Sequence, residues 1–236
     1  MAELSQVDLN RYSCSMPAGL CANGSPYPVD LAKSHGLIVA GGTGEARLKA
    51  VRAMVAAARH EGGVEAVLCG AGDPAEGQES VALEAAEDRL QAFCDEQIRR
   101  YDAMKQAGSN NLPHYNACAA SRGLEPFPFK FFVIGELQDC VGRFGRKFID
   151  RLCFAARYGR ACGMLPVVCA VSAEPEKLPA LLKAEIADRV CLGVKTRRDS
   201  LSLLGALGGE ALGEGDILYR HVAEKTEPVR LRTPAA

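Results

Sequence analysis

G-L-I-V-A-G-G-T-G-E-A-R-L, residues 36–48, is the stretch that decides the fold of this chain. It predicts a short apolar strand, a glycine-rich turn and the start of a helix, because apolar residues then recur at helical spacing up to residue 58. A strand that leads through glycines into a helix N-terminus suits phosphate, since the backbone amides turn toward the anion and the helix dipole adds positive potential. The stretch therefore predicts a nucleotide-type loop whose binding residues are Gly41, Gly42, Thr43, Gly44, Glu45, Ala46, Arg47 and Leu48.

This loop departs from the phosphate-binding pattern G-x-x-x-x-G-K-S/T at the residues that carry its chemistry. Aligned on Gly41, the second glycine is Ala46, the lysine is Arg47 and the magnesium-binding hydroxyl is Leu48. Leucine cannot bind magnesium, and Glu45 places a carboxylate where phosphate would lie. Arg47 could pair with a phosphate, but its guanidinium is not a conservative replacement for a compact ammonium. The sequence predicts the shape of a nucleotide site without much of its chemistry.

Composition favours one large α/β domain, since 236 residues with 48% hydrophobic content can form a full core. Lys and Arg number 28 against 29 Asp and Glu, so the bulk charge predicts neither a nucleic-acid nor a membrane partner. Ten cysteines show no C-x-x-C and no paired histidine spacing, which indicates reduced, mostly buried thiols and no metal site. Since no signal-type or membrane-spanning segment is visible, we expect a cytoplasmic chain.

Apolar runs alternate with helical patterns from residue 36 to residue 220, which predicts a mostly parallel central sheet with helices on both faces. The expected strands are residues 37–40, 64–69, 131–134, 165–170, 189–194 and 216–219, with 37–40, 131–134 and 166–170 in the centre. The expected helices are residues 81–106, 143–161, 178–186 and 201–207. Residues 1–35 are expected to be a lead-in segment, residues 36–232 the domain, and residues 233–236 a frayed tail.

Several sequence blocks, in this order, resemble the motor domain of FtsK/SpoIIIE-type DNA translocases. Residues 23–33 resemble the lead-in to the family's loop, residues 96–116 its segment E-x-x-x-R-Y…A-G-x-x-N…Y-N, and residues 203–219 its ending L-L-G-x-G-D-M-L-Y. Together they cover roughly residues 22–232. The resemblance implies a RecA-like P-loop fold, ATP and Mg as cofactors, DNA as a partner and a ring-type homo- or hetero-oligomer.

The resemblance also implies catalytic roles, and the chain departs from the family at most of them. The family's strand corresponding to residues 132–134 ends in an Asp that helps hold magnesium and a Glu that orients the attacking water; here these are Gly135 and Glu136. The Thr-Gln-Arg-Pro sensor reads V-S-A-E-P over residues 171–175, and the loop over residues 70–80 lacks the family's Asp-Pro-Lys. Glu136 is the one catalytic candidate that remains.

Each lost stabiliser typically costs on the order of 3 kcal/mol of transition-state binding. Four losses in one site therefore predict a pseudo-ATPase, which serves as an assembly or substrate-docking module of a DNA translocase, conjugation or secretion-type system. If only the chemistry has been lost, a repaired site should bind Mg-ATP. That repair consists of Glu45→Ser, Ala46→Gly, Arg47→Lys and Leu48→Ser, with Gly135→Asp as a further change.

Four cations are candidates for contacts outside the loop. Arg143, Arg146 and Lys147 begin a basic helix that could contact DNA phosphates in a ring lumen, with a solvated helix face as the alternative. Arg189 matches a family arginine near a subunit boundary, with a salt-bridged surface arginine as the alternative.

Two other functions stay open at this point. The chain could be an active ATP-dependent DNA translocase subunit. It could also be a pyridine-nucleotide-dependent oxidoreductase, because residues 41–46 are similar to the loop of precorrin reductases as well.

Overall fold

The computed structural model of the chain describes residues 14–58, 63–72, 78–119, 123–174, 177–224 and 226–233. The strands in these ranges are β1 (Ser15–Leu20), β2 (Pro26–Asp30), β3 (Leu37–Ala40), β4 (Val64–Cys69), β5 (Gln78–Val81), β6 (Phe129–Ile134), β7 (Met164–Ala170), β8 (Asp188–Cys191), β9 (Asp216–His221) and β10 (Val229–Arg232). The helices are α1 (Gly44–Ala56), α2 (Ala86–Gln106), α3 (Leu112–Ala119), α4 (Leu137–Phe144), α5 (Arg146–Cys162), α6 (Ala180–Glu185) and α7 (Arg197–Leu204). The strands form one sheet in the order β2-β1-β10-β9-β8-β3-β7-β6-β4-β5.

The sheet is parallel from β8 to β5, and this half contains the predicted core. The strands β3, β7 and β6 are neighbours in the middle of the order, which confirms the expected central strands. Every residue of β3 and β7 is buried. Successive side chains of a strand point to opposite faces, so both faces of the sheet are covered at these strands.

The other half of the sheet is antiparallel, and β9 is the one strand of it that was predicted. β9 pairs antiparallel with β8, β10 with β9, β1 with β10 and β2 with β1. The described part of the expected lead-in therefore supplies two strands of the sheet, and all six residues of β1 are buried. The two strands pair with each other, and the pairing of Leu20 with Arg232 joins this hairpin to β10, far away in the sequence.

Several predicted elements have different bounds in the structure, among them α7, which spans Arg197–Leu204 instead of residues 201–207. α2 begins at Ala86 instead of residue 81, because Gln78–Val81 pairs with β4 as β5. The expected helix 143–161 is two helices, α4 and α5, which meet at Gly145 with a φ of 67°. The expected tail begins with an anchored residue, since the Thr233 N–H donates to the Gly215 carbonyl at 2.8 Å. Residues 234–236 lie outside the described ranges.

The nine cysteines with described side chains are unpaired, and all except Cys21 are buried. This confirms the expectation of mostly buried thiols for that part of the chain. Burial raises the pKa of the Cys169 thiol to about 12. No helix within the described ranges is long and apolar enough to cross a membrane.

Candidate functional site

The glycine-rich loop makes the predicted turn from β3 into α1 at the carboxyl end of the parallel strands. Gly41 and Gly42 have φ angles of 84° and 62°, which favour glycine. A Cβ on Gly41 would lie 2.1 Å from the Gly193 carbonyl oxygen, so the loop after β8 packs directly against this turn. Thr43 caps α1, and its hydroxyl accepts a hydrogen bond from the Ala46 N–H at 3.1 Å.

Two of the loop amides are already used inside the chain. The Gly42 N–H donates to the Gly193 carbonyl at 2.7 Å, and the Gly41 N–H donates to the Ala170 carbonyl at 3.3 Å. Within the described residues, the structure shows no hydrogen bond from the amides of residues 43–45, which open α1. The anion-binding capacity of the loop is therefore restricted to the helix N-terminus.

Arg47 points inward and binds its own loop. It is 2% exposed, and its Nη1 donates to the carbonyls of Gly41 and Gly42 at 3.0 and 3.1 Å. Its Nη2 forms an ion pair with the Glu136 carboxylate. The cation expected to face a phosphate is thus paired with groups of the protein.

Glu136 follows β6 directly and stands at the N-cap position of α4, although its side chain makes no capping bond. One carboxylate oxygen accepts from Arg47, while Oε1 is buried without a hydrogen-bond partner among the described residues. The structure brings Glu136 and the loop together, as expected for a site at the strand ends. Its ion pair with Arg47 leaves the carboxylate poorly placed to orient a water molecule.

The residues on the metal side of the loop do not fit magnesium. Leu48 is a half-buried apolar side chain that packs against the core. A Cβ on Gly135 would lie 2.2 Å from the Gly70 carbonyl oxygen and 3.0 Å from the Ala71 Cα, so this position has no space for a side chain. Hard cations such as magnesium require oxygen ligands, and neither position can supply one. Gly135→Asp, expected from the sequence to help rebuild the site, would first have to displace the backbone of residues 70–71.

A cavity of about 500 Å³ opens on the other side of the loop. The loop and α1 line it with Gly42, Thr43, Ala46, Lys49 and Ala50. The facing wall consists of Leu192, Leu212, Gly213, Glu214, Gly215, Asp216 and Thr233. Its volume lies within the range of small-molecule sites.

The facing wall contains residues that the sequence did not assign to a site. Asp216 accepts hydrogen bonds from Arg230 at 2.6 Å and from Arg232 at 3.3 Å, and the bond from Arg230 is the main reason that the pKa of this carboxyl is lowered. The block over residues 203–219 was a signal for these residues, but only the pairing of β9 with β8 places it beside the loop.

The block over residues 96–116, which resembles a family segment, makes structural contacts. The buried Arg100 donates to the Glu96 carboxylate and to the carbonyls of Pro128 and Cys162. Burial by itself would raise the pKa of Glu96, but the hydrogen bond from Lys130 and the Arg100 charge lower it below its usual range. This network ties α2 to the starts of β6 and β7.

The four cations lie in two different environments. Arg143 lies 3.5 Å from Glu84, Arg146 donates to Asp150 at 2.8 Å, and Lys147 is exposed beside them. Arg189 is only 8% exposed and donates to the carbonyls of Leu203 and Lys183 at 2.5 and 2.6 Å. Arg189 is therefore not a salt-bridged surface arginine, because it lies on the interior strand β8 and its guanidinium donates to two backbone carbonyls. The same burial leaves little of this side chain accessible to a neighbouring subunit.

Comparison with known proteins gives one consistent family. No family model matches the chain. The DNA translocase FtsK of Helicobacter pylori strain J99 is 28% identical over 210 residues, which cover 83% of this chain and 25% of the relative. The DNA translocase FtsK of Streptococcus pneumoniae is 27% identical over an alignment of 250 residues, which covers 98% of this chain and 32% of the relative. The chain is homologous to the FtsK-type DNA translocases.

Solved structures agree with this assignment at the level of the fold. The conjugation coupling protein TcpA of pCW3, in its monomer form with ATPγS, has a TM-score of 0.80 at 19% identity over 97% of this chain and 68% of that one. The cytoplasmic domain of the Thermomonospora curvata type VII secretion ATPase EccC has a TM-score of 0.78 at 20% identity over 100% of this chain and 30% of that one. The chain therefore has the fold of P-loop ATPase domains, and it spans about a quarter to a third of the curated relatives that it matches.

Proposed function

We propose that this chain is a hydrolysis-deficient FtsK-type domain that serves as an assembly or substrate-docking module in a cytoplasmic DNA translocase, conjugation or secretion-type system. The observation that carries the proposal is the position of Arg47. Its guanidinium is held by the Gly41 and Gly42 carbonyls and by Glu136, so the cation and the carboxylate of the site are paired with each other. A hydrolytic site needs both groups facing the transferred phosphoryl group.

ATP or a related nucleotide remains the proposed ligand of this module. The cavity beside α1 has a suitable volume, and the helix N-terminus retains amides without partners among the described residues. The similar TcpA structure was solved with ATPγS. Magnesium is left out of the proposal, since Leu48 and Gly135 supply no ligand for it.

The proposed partners are neighbouring subunits of a ring and an anionic substrate such as DNA. Arg146 and Lys147 stand in the first turn of α5, where the helix dipole disfavours positive charge, and that turn contains no acidic residue. Such an unfavourable arrangement is compensated when phosphates bind, so Arg143, Arg146 and Lys147 are the proposed DNA contacts. A protein substrate is the alternative, because one similar structure is that of EccC ATPases 2 and 3 in complex with a signal sequence peptide.

The similarity to translocases extends over most of the chain, whereas the similarity to precorrin reductases is restricted to residues 41–46. This favours the translocase family over the oxidoreductase hypothesis. The remaining alternative is an active ATP-dependent translocase subunit. A hydrolysis assay distinguishes it from the proposed function.

ATP hydrolysis by the purified chain decides between the two. We expect turnover, with and without double-stranded DNA, to equal that of a Glu136→Gln variant, because Glu136 does not serve as a catalytic base. DNA-stimulated hydrolysis by the parent chain that disappears in the variant would overturn the proposal and favour an active translocase. Circular dichroism of both proteins checks that they are equally folded.

A further inference from the structure

The open cavity and the Arg47–Glu136 ion pair lie on opposite sides of the same loop. In the sheet order, β8 and β9 lie on one side of β3, and β7 and β6 lie on the other. The cavity is formed with the segments next to β8 and β9, while Glu136 follows β6. Gly41, Arg47 and Glu136 are not among the residues that line the cavity.

We infer that this site takes a nucleotide that ends at its β-phosphate and that binds without a metal ion. This inference rests on the proposed function and specifies its ligand. The nucleoside occupies the cavity between α1 and the segment before β9. The phosphate end stops at the N-terminus of α1, where the carboxylate of the exposed Glu45 must turn toward solvent. Lys49, which lines the cavity, is the cation on this path, and Leu192 and Leu212 offer apolar surface to the base.

A third phosphate has no favourable place beyond this point. Continuing past the helix N-terminus toward β6, it would meet the Glu136 carboxylate, which carries the same sign of charge. The Arg47 guanidinium cannot compensate, since it already donates to two carbonyls and to Glu136. To accept a triphosphate, the site would have to break this ion pair and leave Glu136 unpaired in a largely buried position.

Magnesium cannot offset that repulsion in this chain. The position of the hydroxyl ligand is Leu48, and the position of the second ligand is Gly135, where the Gly70 carbonyl leaves no space for a side chain. The charge of a third phosphate would therefore remain unneutralised. Metal-free diphosphate binding is the state that the residues present can satisfy.

Isothermal calorimetry tests the inference with ADP and with ATPγS, each in magnesium and in EDTA. We expect the Kd for ADP to be the same in both buffers within about twofold, and ATPγS to bind about tenfold or more weakly than ADP. Glu136→Gln removes the competing charge. In this variant the ratio of the Kd for ATPγS to the Kd for ADP should fall by about tenfold. Glu87→Gln is the matched control, because Glu87 pairs with Arg151 away from the loop, and this variant should keep the ratio of the parent chain.

Three results would overturn the inference. Tighter binding of Mg-ATPγS than of ADP would show that the triphosphate and its metal are accepted. An unchanged ratio in Glu136→Gln would show that this carboxylate does not select the ligand. If the folded protein bound neither ADP nor ATPγS, nucleotide would also be removed from the proposed function. The turnover assay tests the loss of hydrolysis independently of these three binding results.

Discussion

At the scale of single residues, Arg47 and Gly135 prevent the site from holding a triphosphate with its metal ion. Arg47 does so through its ion pair, and Gly135 through its packing. Arg47 contributes three hydrogen bonds to the interior of the loop, and removal of either partner of a largely buried ion pair leaves an uncompensated charge. Gly135 is important because it has no side chain: the backbone of residues 70–71 occupies the space that a Cβ would need. A carboxylate at position 135 requires movement of residues 70–71, and loss of Arg47 leaves Glu136 without its ion-pair partner.

Substitution of Gly135 tests this packing. We expect Gly135→Ala to lower the free energy of unfolding by about 1–3 kcal/mol, because the new methyl group meets backbone that cannot rotate away. Gly135→Asp should lower it further, and urea unfolding measures both. Gly142→Ala is the control, since that glycine lies in α4 with nothing within 4 Å of its Cβ position. If Gly135→Ala left the free energy of unfolding unchanged, residues 70–71 would have to move freely, and this side of the site could be rebuilt.

At the scale of elements, the junction of α4 and α5 decides where the basic residues lie. The hydrophobic pattern continues across Gly145, but the backbone there has φ 67° and ψ −152°, a conformation that is essentially restricted to glycine. The change of direction at this residue brings Arg143, at the end of α4, next to Arg146 and Lys147 at the start of α5.

Gly145→Ala should therefore cost about 1–3 kcal/mol of unfolding free energy. The cause is backbone strain alone, since nothing lies within 4 Å of the Cβ position. This separates it from Gly135→Ala, where the cause is steric. If the cations of this junction bind DNA, the same variant should also weaken DNA binding in an electrophoretic mobility assay, relative to Gly142→Ala. A variant that matches the parent chain in stability would contradict the assigned junction geometry.

At the scale of the whole molecule, the antiparallel half of the sheet completes the cavity. β9 follows the segment 213–215 of the cavity wall, and β10 leads to Thr233, which bonds back to Gly215. β10 also joins β9 to β1, so both ends of the chain take part in one sheet and one core. The cavity therefore combines residues 42–50 with residues 212–216 and Thr233, which are far apart in the sequence.

The buried thiols of this core predict a loss of stability at alkaline pH. Burial raises the pKa of Cys69, Cys94, Cys140, Cys162 and Cys169 to about 12 and that of Cys153 and Cys191 to about 11. Thiols in an unfolded chain lose their protons near pH 8.5, whereas these thiols keep theirs in the fold. The unfolded state then binds fewer protons, so the stabilisation is complete below about pH 8.5 and is lost as the pH rises toward 11–12.

We expect the urea midpoint under reducing conditions to be clearly lower at pH 9.5 than at pH 7.5. Cys169→Ala should show a smaller decrease between these two pH values, because it removes one of the thiols concerned. Cys21→Ala is the control, since Cys21 is only half-buried. A midpoint that is constant or rises with pH would mean that the thiols are not protected by the core.

The sequence by itself determined the parallel core and the position of the glycine-rich turn between β3 and α1. The apolar runs that became β3, β6 and β7 could be predicted because a strand buried on both faces is apolar at every position. The turn at Gly41 and Gly42 could be predicted because glycine loops and helix N-termini are local features. The substitution of Arg47, Leu48 and Gly135 for the expected residues was visible in the same way.

Only the tertiary structure decided what these residues do. No local pattern shows that Arg47 turns back to pair with Glu136, 89 residues later, or that Gly135 is closed by Gly70. The hairpin of β1 and β2 joins the sheet through β10, and the cavity brings residues 42–50 next to residues 212–216. Hydrophobic periodicity encodes neither of these contacts. Periodicity reports which side of an element is buried, whereas the choice of partner is made by packing across the whole sheet.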